Sequence, residues 1–150
     1  MIRDTTREDP MGAWDFGPFD NDHAADWCAR LHHAEPGDRQ AVLRGALTEA
    51  ADTTGYLDSD EASAAVAAAA VVASTLPGGT PVTSAYGPGF LSGGGSLEIG
   101  DGTPELAARA LERVLGADSE WVELWAEGGG DTAQHPAFVS VHELLAVLRR

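Results

Sequence analysis

Lysine is absent from this chain, cysteine occurs once, and no apolar run approaches the length of a membrane span. The missing lysine excludes a Walker A phosphate loop, because that motif needs a lysine to reach the outer phosphates of a nucleotide. A single cysteine, Cys28, allows no internal disulfide, so a reducing, cytoplasmic setting is expected and a secreted disulfide scaffold is not. The longest apolar stretch, Ala64 to Ala73, is alanine-rich and covers only about half of the roughly 20 residues a membrane helix requires. The opening MIRDTTREDP has no apolar core of the kind a signal peptide carries. Basic charge is scarce too: nine arginines face 24 aspartates and glutamates, for a formal charge of -15. A field of that sign repels phosphate backbones and anionic lipid, so neither nucleic acid nor a membrane is an expected partner.

What is present suits one folded domain. The chain has 150 residues, 43% of them hydrophobic, enough for a single core. Residues 1–10 lack periodicity and read as a mobile extension, leaving 11–150 as the domain. Ala24, Trp27, Cys28 and Leu31 follow helical i, i+3, i+4, i+7 spacing, with Asp20 or Asn21 placed to cap. Pro36 opens a second helical stretch with Val42, Leu43, Ala46, Leu47 and Ala50 inward. Asp58 and Glu61 form a capping-box pattern ahead of an alanine-rich helix that has small residues all round and is expected at the centre. Thr103 and Pro104 suit the start of a fourth helix, Asp118 that of a short fifth, and Phe138 to Leu148 show the stripe of a last one. Residues 76–102 interrupt the rhythm with glycine and proline and read as a mobile loop or a lid, with short strands conceivable at 80–86 and 96–99. The expected fold is all-α: a single-domain bundle of five or six helices with a long Gly/Pro-rich loop. Trp27, Leu31, Leu47, Val66, Ala69, Leu111, Trp125 and Leu145 are expected in one core.

The densest chemistry lies in the WDFGPFDNDHAADW segment between Trp14 and Trp27. Structurally, Trp14, Phe16, Phe19 and Trp27 are anchors, Gly17-Pro18 turns the chain, and Asp20, Asn21 and Asp22 serve the helix start. Functionally, Asp22, His23 and Asp26 lie close enough in sequence to ligate a metal, although an EF-hand register fails at Ala25 and Leu31. Exposed pairing of Asp26 with Arg30 explains that aspartate equally well.

Met11-Gly-Ala-Trp14, Gly17-Pro-Phe-Asp-Asn-Asp22 and Asp26-Trp27, followed by Tyr56-Leu57, Asp118-Ser-Glu120 and Leu124-Trp125, resemble the signature of a bacterial family, domain of unknown function number four-two-five-nine. The resemblance runs from about Met11 to Leu148. Family members commonly begin at the methionine matching Met11, which agrees with reading residues 1–10 as an extension. Asp15 departs from the glycine often found there, and the Gly-rich loop is long. The resemblance implies a small helical protein and brings no reaction, ligand or catalytic residue with it.

Catalytic patterns are missing. No HExxH or other zinc spacing joins His23, His32, His33, His135 and His142, and Ser92 and Ser96 do not sit in a GxSxG elbow. Cys28 falls among the apolar positions of its helix, as a buried inert thiol does. No pattern implies a cofactor. Charge says more, since no arginine lies between Arg44 and Arg109 or between Arg113 and Arg149. In the second gap Glu120, Glu123 and Glu127 share a helical face beside Trp121, Leu124 and Trp125. A solvated outer face is the plain explanation. The sharper one is a docking surface for a basic protein, with Trp121 as an apolar contact, in an inhibitor, an immunity-type protein or a regulatory subunit. The alternatives are a small enzyme or ligand binder with its site near Trp14 to Trp27 under the Gly-rich loop, and a metal-dependent structural role for the histidines and aspartates.

Overall fold

The computed structural model describes residues 18–19, 21–79, 87–92, 97–126 and 135–149. Expectations for Trp14, Phe16, Asp20, Glu127, the extension 1–10 and a strand at 80–86 lie outside the described residues. The protein is all-α. Its helices are α1 (Asp22–His33), α2 (Arg39–Ala51) after a 3-10 turn at Pro36–Asp38, α3 (Ser59–Ser74), α4 (Gly89–Ser92), α5 (Thr103–Leu115), α6 (Glu120–Ala126) and α7 (Pro136–Leu148). Among the described residues no strand forms, and an isolated parallel bridge joins Leu57 and Ser119.

α3 is the hub. Residues 65–73 are buried on every side, and α5, α2 and α1 pack most extensively against it. Alanine permits this because a side chain that ends at Cβ lets three neighbouring helices approach one axis closely. The larger side chains come from those neighbours: Trp27 and Leu31 from α1, Leu43 and Leu47 from α2, Leu111 and Val114 from α5. Polar contacts fix the directions. His23 of α1 meets Asp60 of α3 at 3.0 Å, so both helices start at the same end of the bundle. Arg44 reaches Thr103, and Arg109 reaches Asp52, so α2 and α5 run alike and opposite to α3. Six members of the expected core are buried, whereas Trp125 and Leu145 are only partly buried and pack against its edge.

Helix ends depart more from local pattern. Asn21 caps α1 as expected, its Oδ1 accepting from the Ala24 amide at 2.9 Å. The Asp58–Glu61 box does not form; Glu120 of α6 instead accepts from the Ser59 amide at 2.8 Å, so α3 is capped from across the bundle. Thr103 lies inside α5, whose N-cap is Gly102 at φ 79, a left-handed conformation that suits glycine. The buried Thr103 hydroxyl accepts from Arg44 at 2.6 Å. Asp118 also takes the left-handed region (φ 56), and its carbonyl accepts from the Leu57 amide in the bridge rather than its side chain capping α6. α7 starts at Pro136, with the ring of His135 accepting from the Ala137 amide.

The glycine-rich region is not bare loop where it is described. Residues 89–92 form the helical turn α4 against α1, Pro88 is fully buried, and a Cβ on Gly89 would press on the ring of His32 at 3.3 Å. Gly79 closes the C-terminal end of α3 so tightly that a Cβ there would overlap the carbonyl of Ala73.

Candidate functional site

In the Trp14–Trp27 segment, as far as it is described, Phe19, Asn21 and Trp27 have structural roles. Phe19 and Trp27 are buried in the core and Asn21 caps α1, while Asp22 and Asp26 stand exposed on the first turns. His23 pairs with Asp60 rather than with its sequence neighbours. Among the described residues no three His, Cys, Asp or Glu side chains come close enough to hold a metal ion. The thiol of Cys28 is buried, which pushes its pKa up to about 12 and keeps it protonated at neutral pH.

Charge converges elsewhere, where α3 begins beside α6. The chain from Thr53 to Asp58 is tied to the α5–α6 connection by the Leu57–Ser119 bridge and by Arg113. That guanidinium donates to the carbonyls of Thr53, Gly55, Ala117 and Asp118. Tyr56 is thereby held over α6, where its hydroxyl donates to Glu123 Oε1 at 2.6 Å. Glu120 is partly buried by its capping role, and Trp121 is only 5% exposed, its ring against Phe138 and Trp125. Trp121 is therefore a core residue and not a surface contact. The exposed apolar groups here are Tyr56 (50%) and Leu124 (48%). The helical pattern groups Leu124 with Trp121 and Trp125 as inward, but a helix of seven residues buries only one of the three.

Asp58 links two acidic sets. Glu61 has its carboxyl raised above the ordinary range by desolvation, and further by Glu49, Asp58 and Asp60. The phenol of Tyr56 is pushed up to about 12, first by its hydrogen bond to Glu123, then by desolvation and the charges of Glu123, Glu120 and Asp58. The acidic face is thus two sets that share Asp58, with Glu120 and Glu123 acting on Tyr56 and with Glu49 and Asp60 acting on Glu61. The run Asp58-Ser-Asp-Glu61 is the sequence signal for its second half, and helix capping alone does not account for three acids in four positions.

The phenol gives a direct measurement. A raised phenol pKa favours the protonated form in the fold, so this contribution to stability is present below pH 10 and is lost as pH rises toward about 12. In a Tyr86→Phe background, absorbance titration should find Tyr56 ionising near 12, and Glu123→Gln should bring it back toward 10. An unchanged value in the Glu123 variant would show that the hydrogen bond does not form in solution.

A family model described as a domain of unknown function (DUF4259) matches residues 12–135. The match ends just before α7, short of the Leu148 expected from the motifs. No curated protein and no solved structure matches the chain. No described helix is long and apolar enough to cross a membrane.

Proposed function

The chain belongs to the DUF4259 domain family, whose description assigns no reaction; from that premise we propose that it is a non-catalytic interaction module that docks a protein with a basic surface. The observation that carries this reading is exposed Tyr56 with Asp58, Glu120 and Glu123 acting on its phenol, continued through Asp58 to Glu61 with Glu49 and Asp60, and with Leu124 exposed on α6. Tyrosine is among the side chains that most often anchor interfaces, and a charged surround of one sign selects and steers a partner of the other. Arg113 and Arg39 have structural partners, and hydrogen bonding to neutral carbonyls leaves their positive charge in place. Arg113, on the flank of this face, is bound to four backbone carbonyls, and Arg39 caps the last turn of α1 through the carbonyls of Leu31 and His32. Glu123 is an exposed contact in this reading, Glu120 holds α3 in place behind it, and Glu127 continues the same face in sequence. The one cysteine agrees with action in the cytoplasm, as an inhibitor or regulatory subunit of a basic protein.

The test begins with affinity capture from the native host and identification of a stoichiometric partner. Association is then followed against ionic strength for the wild type and for Asp60→Asn/Glu61→Gln/Glu123→Gln, which leaves the capping Glu120 intact. Neutralising three charges should slow association about tenfold at low salt, with a smaller change in dissociation rate. An equal association rate for the variant, or a partner with an acidic contact surface, overturns the reading.

A further inference from the structure

Three of the nine arginines meet at one cavity, in a chain whose net charge is -15. The cavity measures about 890 Å³ and opens beside the first two turns of α5. Arg44 of α2, Arg109 of α5 and Arg149 after α7 line it, against a single carboxylate, Glu105; Leu106 and Leu148 supply buried apolar surface. None of these residues belongs to the acidic face. We infer that this cavity binds a small organic anion, a carboxylate or phosphate ester carrying an apolar body.

Guanidinium groups suit that ligand because their planar forks match carboxylate and phosphate oxygens two at a time. The volume falls within the range of small-molecule clefts, roughly 300–1,000 Å³. Each arginine is held at the cavity without being used up. Arg44 donates to Thr103 Oγ1 at 2.6 Å, which occupies one of its five N–H donors. Arg109 pairs with Asp52 at 3.3 Å and Arg149 pairs with Glu112, both more than half exposed to solvent. Ion pairs so exposed are weak, so a ligand entering the cavity can draw on both guanidiniums with little loss. Gly102, the N-cap of α5, offers no side chain to the helix terminus, which adds a smaller favourable field for an anion. The overall negative charge slows the approach of such a ligand but does not prevent binding, since at about 0.1 M salt the field is screened within roughly 10 Å and the contacting arginines dominate.

The experiment uses hexanoate and phenyl phosphate as probes, with hexanol as the uncharged control, at ionic strength held constant with sodium chloride. Proton–nitrogen correlation spectra follow the arginine side chains and the amides of residues 103–106. At least one of the two anions should bind saturably by millimolar concentration, with shifts confined to these groups, and which head binds tighter separates carboxylate from phosphate. Arg109→Gln/Arg149→Gln should weaken that binding tenfold or more while the rest of the spectrum and the thermal midpoint stay close to wild type; Arg44 is left in place because it holds Thr103. Failure of both anions to saturate, equal binding to the double variant, or equal binding of hexanol overturns the inference. None of these outcomes bears on the acidic face, so the two proposals fail separately.

Discussion

Trp27→Ala should lower the free energy of unfolding by about 3–5 kcal/mol, the loss typical of truncating a buried aromatic ring. Trp27 is 2% exposed and sits in the middle of the buried stripe of α1, between Ala24 and Leu31. Across from it α3 presents alanines and valines, which have no longer side chain with which to fill the space the indole would leave. A domain of this size holds a net stability on the order of 5–15 kcal/mol, so the variant should unfold at a much lower urea concentration, with the slope of the transition unchanged. Trp27→Phe should recover part of the loss. A cost below about 1 kcal/mol for the alanine variant would mean that α1 is not packed on α3 through this ring.

Arg113→Gln should cost about 2–3 kcal/mol, more than most half-exposed positions, because one guanidinium serves four carbonyls. Nε binds Thr53 O at 3.0 Å and Nη1 binds Ala117 O at 2.9 Å, while Nη2 reaches Gly55 O and Asp118 O. Those carbonyls belong to two loops that no helix satisfies, and the Leu57–Ser119 bridge lies between them. Lysine cannot replace the fork, so Arg113→Lys should lose most of the same stability despite keeping the charge. Hydrogen exchange supplies the local check, since the amides of Leu57 and Glu120, which close the bridge, should lose protection in both variants before the amides of α3 do. Unaltered protection at these two amides would show that the bridge stands without Arg113.

The difference between these two sites explains what the sequence reveals. The stripe holding Trp27 is legible because a helical period is a local property, and Ala24, Trp27, Cys28 and Leu31 are all buried where the spacing puts them. The role of Arg113 is not legible, since its partners lie up to 60 residues away on backbone atoms that carry no sequence identity. Capping divides the same way. Asn21 satisfies an amide three residues on, but the amide of Ser59 is satisfied by Glu120, and the Asp58–Glu61 pattern misleads because a distant carboxylate fits better. For the candidate site, the acidic residues could be read from composition, whereas their gathering around Tyr56 depends on the bridge and on Arg113. Trp121 and Leu124 show the limit of periodicity: i, i+3 spacing puts both on one side of α6, and the tertiary contacts with Phe138 decide which is covered.

α3 carries eight alanines in sixteen residues. Alanine has no side-chain rotamers to surrender on burial, whereas leucine or isoleucine gives up roughly 0.5–1 kcal/mol each. It also has the highest intrinsic preference for the helix. The element that touches most of the fold is thus the one whose ordering is least opposed by side-chain entropy. The rotamers that folding must freeze belong instead to the larger side chains of α1, α2 and α5 that close around it.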